Sequence, residues 1–423
     1  MKQPETASAE FQQKLLACVH CGFCLSACPT YTRLGDEADS PRGRLYLMRA
    51  LVEGRLEADD SAVQMHIDRC LGCRACETVC PSGVEYGYLL ERTRDHIAHA
   101  AGTSIMSRAL LYAFGTRRMA QIISFFARAL RATRIPHLLA RVIPRHFGRL
   151  KFSLAMLAAS SGSLRSSSVR RNERTERAGR PRVALLLGCV QEGLYGRVNR
   201  ATEYVLQVNG YEVVKVRAQV CCGALHAHSG DLAGARDRAR SNIEAFEQAG
   251  VDFIINNAAG CGAQMKQYAE ILEHEPEWHD RARAISARVR DLSEFLASIE
   301  LRPGGSLNMR VTYDAPCHLH HGQRITTAPL AVLGQIPDLT LVALPRADEC
   351  CGGAGIYGLL HQDLGGRILK DKIDAVISTG AEAVATPNPG CMMQIGAGLI
   401  IHGRDVAVVH PIELLAESYR RAK

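Results

Sequence analysis

The cysteines of this chain fall into patterns, and the first pattern occurs twice. Cys18-Val19-His20-Cys21-Gly22-Phe23-Cys24 is closed by Cys28-Pro29, and Cys70-Leu71-Gly72-Cys73-Arg74-Ala75-Cys76 by Cys80-Pro81. Both read C-x-x-C-x-x-C-x-x-x-C-P, the bacterial run for a [4Fe–4S] cubane. Three thiolates wrap a tight turn around three corners of the cube. The fourth is carried away on the next segment, where proline redirects the chain. In two-cluster proteins that fourth cysteine ligates the other cluster. Cys18, Cys21, Cys24 and Cys80 are therefore expected to hold one cluster, and Cys70, Cys73, Cys76 and Cys28 the other. Zinc sites favour separate C-x-x-C or C-x-x-H pairs. Disulfides need an oxidising compartment, and Met1-Lys2-Gln3-Pro4-Glu5-Thr6 opens no apolar export segment. Two crossed clusters make a two-station wire for electrons.

The second pattern is also doubled. Cys189, Cys221-Cys222-Gly223 and Cys261 recur as Cys317, Cys350-Cys351-Gly352 and Cys391, at offsets of 128, 129 and 130. So steady a period marks a tandem duplication. Adjacent cysteines followed by glycine suit a soft metal, a cluster or a redox thiol better than a relaxed disulfide. The bland alternative, a small apolar residue in a packed loop, accounts poorly for eight cysteines in two matching sets. Four thiolates per copy are enough for one cubane, although neighbours in sequence rarely reach two corners of one cube without strain. At least one metal centre beyond the first two is expected, with Cys317, Cys350, Cys351 and Cys391 as its best ligands. His226, His228, His318, His320 and His321 lie nearby and read as polar loop residues.

These residues need elements to position them. Asp39 or Ser40 followed by Pro41 starts a helix through Leu45, Met48 and Leu51. Helical pieces follow at 61–69 and 88–100, so residues 1–100 form an α-helical ferredoxin-like domain. Residues 101–158 are helical and basic, interrupted at Pro136 and Pro144. Residues 160–180, rich in Ser and Arg, form a solvated linker. The pattern then turns to α/β. Strands at 182–187, 211–216 and 251–256 alternate with helices at 199–209 and 231–249. The same order recurs with strands at 310–313, 339–344 and 383–386 and a helix at 368–378. The fold class is α+β multidomain, with two tandem α/β cysteine-rich domains built on parallel sheets. The expected domains are 1–100, a connector 101–180, and cysteine-rich copies at 181–300 and 301–423. Each cysteine follows a strand, so each set should meet at the carboxyl edge of its sheet, where open α/β sheets place ligands.

The chain has 423 residues, sixteen of them cysteine, and one tryptophan. Few aromatics argue against a stacking surface for nucleic acid. No apolar run reaches the ~18 residues of a membrane span. The formal charge is +8, yet residues 101–180 carry sixteen Lys/Arg against Glu173 and Glu176. That segment is thus +14 and the remainder −6. It reads as a helical connector with a solvated Arg face, or as a surface docking on anionic lipid or an acidic partner. The expected location is cytoplasmic, peripheral on the inner face of the membrane. Gly353-Ala354-Gly355-Ile356-Tyr357-Gly358 fits G-x-G-x-x-G but follows a cysteine pair where a dinucleotide site needs a strand. There is no P-loop, no G-x-S-x-G elbow and no flavin signature.

The C-C-G pattern resembles the cysteine-rich domain of heterodisulfide reductase subunits, where the last element is often C-x-x-C and five cysteines hold a noncubane cluster. Here Gln264 and Gln394 stand at the fifth position. That departure leaves two readings, a four-cysteine cubane or a site kept for shape. The order of parts, with Cys28-Pro29-Thr30-Tyr31, Gly35-Asp36-Glu37, Ser40-Pro41-Arg42-Gly43-Arg44, Cys80-Pro81-Ser82-Gly83-Val84 and His410-Pro411-Ile412-Glu413-Leu414, resembles the iron–sulfur subunit of bacterial glycolate oxidase. The likeness covers nearly the whole chain and is weakest over 101–180. It implies a separate FAD subunit that oxidises glycolate to glyoxylate, with D-lactate as a further substrate. It further implies that this subunit passes the electrons to a membrane acceptor such as a quinone. Arg42, Arg44 and the Arg117-Arg118 region are candidate partner-facing residues. The iron–sulfur subunit of anaerobic glycerol-3-phosphate dehydrogenase shares the layout, and a non-catalytic redox sensor or scaffold is a further alternative.

Overall fold

The computed structural model describes residues 5–144, 148–161, 181–355 and 357–422. Most of the expected Ser/Arg linker lies outside them.

The N-terminal unit is helical. Ala9–Leu16, Pro41–Val52, Ser61–Asp68 and Tyr86–Ala101 pack around Phe11, Leu45, Met48, Ile67 and Leu89. Ser40 caps its helix by accepting from the Gly43 N–H at 2.9 Å, with Pro41 in the first turn, and Asp60 caps Ser61–Asp68. Helices Ile105–Gly115, Arg117–Ala132, Ile135–Val142 and Gly148–Ala159 form the connector. The basic segment is broken after Ala132, as expected at Pro136, which sits in the first turn of the next helix, where its missing N–H costs nothing. No described helix is long and apolar enough to cross a membrane.

Two four-stranded parallel sheets follow. The first contains β1 (Arg182–Leu185), β2 (Glu212–Val214), β3 (Phe253–Asn256) and β4 (Val289–Asp291), in the order β2-β1-β3-β4. The second repeats it as β6-β5-β7-β8, with β5 Met309–Tyr313, β6 Leu339–Val342, β7 Ala383–Ala385 and β8 Ala407–Val409. Each sheet therefore has one strand more than the apolar runs indicate. β4 and β8 are three residues long and are followed at once by capped helices. Asp291 caps Leu292–Ala297, and His410 caps Pro411–Arg421.

The two copies interlock. Helix Pro411–Arg421 packs on Cys189–Val208, and Leu292–Ala297 packs on Ala328–Leu333. Arg197 pairs with Glu413 at 2.8 Å, and Asn209 donates to the Tyr419 hydroxyl at 3.1 Å. One continuous apolar core runs from Val183 and Val205 of the first copy to Val311, Ile373 and Leu415 of the second.

Candidate iron–sulfur sites

The two N-terminal cysteine runs share one backbone shape. His20 and Gly22 have φ of 54° and 86°, and Gly72 and Arg74 have 61° and 63°. In both runs the residues flanking the second cysteine are left-handed. This folds three sulfurs onto one side of the loop. His20 and Arg74 hold that conformation at a cost of about 1–2 kcal/mol each.

The sulfurs gather in crossed sets. Cys18, Cys21, Cys24 and Cys80 line one cavity with Leu45 and Val84, and Cys76 reaches its wall. Cys28, Cys70, Cys73 and Cys76 line a second, walled by Leu71, Pro29 and Arg44. Pro41 and Tyr86 border both. The first set lies near the surface, with Cys21 exposed and Val19 and Phe23 about two-thirds exposed. The second set is buried.

Cys70 accepts from the Gly72 N–H at 3.4 Å and the Tyr86 hydroxyl at 3.6 Å, and Cys28 lies 3.2 Å from the Thr30 hydroxyl. Burial pushes the Cys73 and Cys76 thiols well up, with neighbouring cysteines adding to it. Such sulfurs become thiolates when a cation compensates them. Among the described residues, only Asp36, Asp39 and His66 bring three potential ligand atoms within 4.8 Å of one another. No three cysteine sulfurs do so. Tetrahedral zinc, with Zn–S of about 2.3 Å, needs sulfurs about 3.8 Å apart. An all-sulfur set in the C-x-x-C-x-x-C-x-x-x-C-P pattern suits a cubane instead. The Asp36–Asp39–His66 group does not compete, because Arg44 and Arg69 already pair with Asp39 at 3.2 and 2.8 Å.

The C-C-G sets are built by glycine. Gly223 and Gly352 have φ of 92° and 81°. A Cβ on Gly223 would lie 3.2 Å from the Ala235 carbonyl oxygen, and one on Gly352 only 2.6 Å from that of Gly365. The turn therefore presses against the long helix of each copy, Leu232–Ala249 or Gln362–Ser378. It also places both adjacent cysteines beside the other cysteines of their copy. Cys189 and Cys221 sulfurs are 3.6 Å apart, and Cys222 neighbours Cys221 and Cys261. In the second copy Cys350 neighbours Cys317 and Cys351, and Cys351 neighbours Cys391. Hydrogen bonds from Cys189 and Cys222 hold the Cys221 thiol well below its usual range. Gln264 and Gln394 are buried, and Gln394 lies beside the Gly353–Cys351 turn. Gln264 Nε2 and Gln394 Oε1 have no hydrogen-bond partner among the described residues.

The sets are adjacent to one another. Leu71, Cys73 and Ala75 share a buried apolar cluster with Cys350 and Ile368, and Cys317 packs against it. Burial lowers His318 to about 3, and its neutral ring donates from Nε2 to the Gly72 carbonyl at 3.1 Å. Asn388 donates to the Cys391 sulfur at 3.3 Å and accepts from the Gly260 N–H at 3.4 Å, beside Cys261. The four sets thus run from the exposed Cys21 to the buried Cys73, on to Cys350 and Cys391, and then to Cys261 and Cys189.

The other histidines serve as structure. His226 pairs with Asp231 at 2.7 Å, His228 with Glu91 at 2.7 Å, and His321 with Thr78 and the Asp348 carbonyl, both at 3.1 Å. Arg44 is not partner-facing. It is fully buried, held by Asp39, by the Thr30 hydroxyl at 3.1 Å and by the His66 carbonyl at 2.6 Å. Arg42 is partly exposed and paired with Glu37. Tyr86 and Asn388 escaped sequence reading. In Asn-Pro-Gly-Cys only the cysteine carries a metal-ligand signal, and Tyr86 follows the second run by six residues.

Comparison with known proteins agrees with this geometry. The 4Fe-4S dicluster domain family matches residues 14–84, and the cysteine-rich domain family matches 183–266 and 311–396. The chain is 35% identical to the probable glycolate oxidase iron-sulfur subunit of Bacillus subtilis (strain 168), over 99% of this chain and 98% of that one. It is 34% identical to the glycolate oxidase iron-sulfur subunit of Escherichia coli (strain K12), over 96% and 95%. It is 31% identical to lactate utilization protein A of an Exiguobacterium species, which spans 57% of this chain and the whole of that protein. With paired iron–sulfur runs, tandem cysteine-rich copies and full-length relatives in agreement, the chain belongs to the family of glycolate oxidase iron–sulfur subunits.

Proposed function

We propose that this chain carries electrons within a glycolate oxidase complex. They come from a FAD subunit that oxidises glycolate to glyoxylate, with D-lactate as a further substrate, and they leave to a quinone-class acceptor at the membrane. The observation that carries this reading is the unbroken series of four cysteine sets, which begins at an exposed surface and passes through the interior. Cys18, Cys21, Cys24 and Cys80 hold one [4Fe–4S] cluster, and Cys70, Cys73, Cys76 and Cys28 a second. Cys317, Cys350, Cys351 and Cys391 hold a further centre. Cys189, Cys221, Cys222 and Cys261 offer the equivalent site in the first copy. Bound clusters supply one-electron redox chemistry, which a two-electron hydroxy-acid donor reaches through a flavin. The chain's own residues set the order of the sets, exclude water from the buried ones and donate hydrogen bonds to sulfur at Gly72, Tyr86 and Asn388. The face bearing Val19, Phe23 and Arg42 is offered to the flavin subunit.

The test is Cys18→Ser and Cys73→Ser in the assembled complex. Flavin reduction by glycolate should persist while electron delivery to the acceptor stops. Full acceptor-linked turnover in either variant overturns the reading. Two cubanes account for about eight irons per chain. An anaerobic preparation should exceed that, and Cys351→Ser should lower the count by the irons of the centre at Cys317, Cys350, Cys351 and Cys391.

A further inference from the structure

The structure holds a groove of about 710 Å³ between helix Arg117–Ala132 and the β2 edge of the first sheet. The size is that of a small-molecule site. Cys189 and Cys221 reach it from one side, so the last cysteine set of the series opens here. Leu185, Leu187 and Val214 give an apolar wall on the sheet side, and Phe125 stands on the helix side.

The helix is seated in an unusual way. It turns its small residues inward, with Ala120 and Ser124 buried and Ser124 pressed against Gly193 of helix Cys189–Val208. Its large apolar residues point outward, with Phe125 61% and Phe126 65% exposed and Ile122 beside them. The next helix repeats this, burying Pro136 and Ala140 and exposing Leu138 and Val142. The outward face is thus apolar and flanked by Arg117, Arg118 and Arg128, the composition of a surface that lies on anionic lipid. Phe125 belongs both to that face and to the groove, so the two are continuous.

Polar groups are available inside. Gln121, Arg128 and Lys215 line the groove and make no side-chain hydrogen bond among the described residues. Arg117 donates to the Arg217 carbonyl and ties the helix start to the loop after β2.

We propose that this groove binds the headgroup of an isoprenoid quinone, with Gln121, Arg128 and Lys215 donating to its carbonyl oxygens and its tail leaving past Phe125 into lipid. The inference rests on the reading of the chain as a relay to a membrane acceptor. The overall exchange balances. A 2-hydroxy acid loses two electrons and two protons to become the 2-keto acid. The quinone gains two of each, and its two carbonyl groups become hydroxyls.

The test is photolabelling of the detergent-solubilised complex with short-tailed azidobenzoquinone and azidonaphthoquinone, followed by peptide mapping. Label is expected within residues 114–128 and 213–221, displaced by the unlabelled quinone. Gln121→Trp, at an exposed position that leaves the fold intact, should fill the groove and cut labelling about tenfold. Arg128→Gln should weaken it as well. Three outcomes overturn the groove: label elsewhere, label unchanged in Gln121→Trp, and equal labelling by an azidobenzene without the quinone ring. Glycolate-driven reduction of a soluble dye is measured in parallel. If the dye is reduced and the groove stays unlabelled, the groove fails alone. If the wild-type complex cannot reduce the dye, the relay reading fails.

Discussion

The Asn388 carboxamide donates to the Cys391 sulfur across 3.3 Å while its oxygen accepts from the Gly260 N–H at 3.4 Å. One side chain thereby touches the sulfur of the second copy and the backbone of the first. An N–H dipole aimed at sulfur favours the reduced, more negative state of a centre held there. Asn388→Ala should lower the reduction potential of that centre and leave the iron content unchanged. An EPR-monitored redox titration checks it, and an unaltered potential would remove Asn388 from the relay.

The proposed crossed ligation makes opposite demands on two similar cysteines. Cys28→Ser should damage the centre of Cys70, Cys73 and Cys76, and Cys80→Ser that of Cys18, Cys21 and Cys24. The exposed set and the buried set should give separable EPR signals. Loss of the signal belonging to the mutated run itself would contradict the crossing.

Arg44 is fully buried and holds Asp39, Thr30 and the His66 carbonyl together. Removing one partner of a buried pair costs about 3–5 kcal/mol. Asp39 keeps Arg69 at 2.8 Å, so Arg44→Met should cost about 3 kcal/mol, the low end of that range. Thermal unfolding of the N-terminal unit, with iron retention on gel filtration, reads this out. An unchanged melt would mean the guanidinium is dispensable.

Arg117, Arg118 and Arg128 flank the outward apolar face. Each basic residue near an anionic membrane contributes about 1 kcal/mol. Changing these three to Gln should release the protein from vesicles containing phosphatidylserine, and salt should mimic the effect. Ile122→Ser with Phe126→Ser should weaken binding even at low salt. Sedimentation unchanged in both variants would leave the face to a protein subunit.

His410 is buried, donating from Nε2 to the Asn257 carbonyl at 2.8 Å and accepting from the Ile412 N–H at 3.1 Å. Burial lowers it from 6.5 to about 4. The unfolded chain takes up its proton first, so this contribution is intact above pH 6.5 and is lost as pH falls toward 4. Its full size is on the order of 3 kcal/mol. Burial raises Asp291 to about 6 and also lifts Glu413, so both titrate with the opposite sign. They do so in wild type and variant alike. The stability gap between wild type and His410→Asn should therefore be widest near pH 7–8 and shrink toward pH 4. Denaturant melts at several pH values test this, and a pH-independent gap would refute it.

The ligand-bearing loops were legible because metal chemistry writes itself into local spacing. Cys18 to Cys28 and Cys70 to Cys80 need only a few residues of context, and the 128–130 offsets gave away the duplicated sheets. β4 and β8 were not legible. Three residues such as Val289-Arg290-Asp291 carry no alternation to detect, and their strand character comes from pairing beside β3. Arg44 misled because Arg42 and Arg44 look alike in Pro-Arg-Gly-Arg, whereas helix geometry turns one toward solvent and the other into the core. The approach of Cys73 to Cys350 joins residues 277 positions apart, and spacing within either motif says nothing of it.

The Arg197–Glu413 pair spans 216 residues of sequence. A ribosome adding about 5–20 residues per second needs about 10–40 s to supply the glutamate after the arginine has been made. Throughout that interval the face of helix Cys189–Val208 that will receive Pro411–Arg421 is bare. The first cysteine-rich copy thus waits in synthesis for the second.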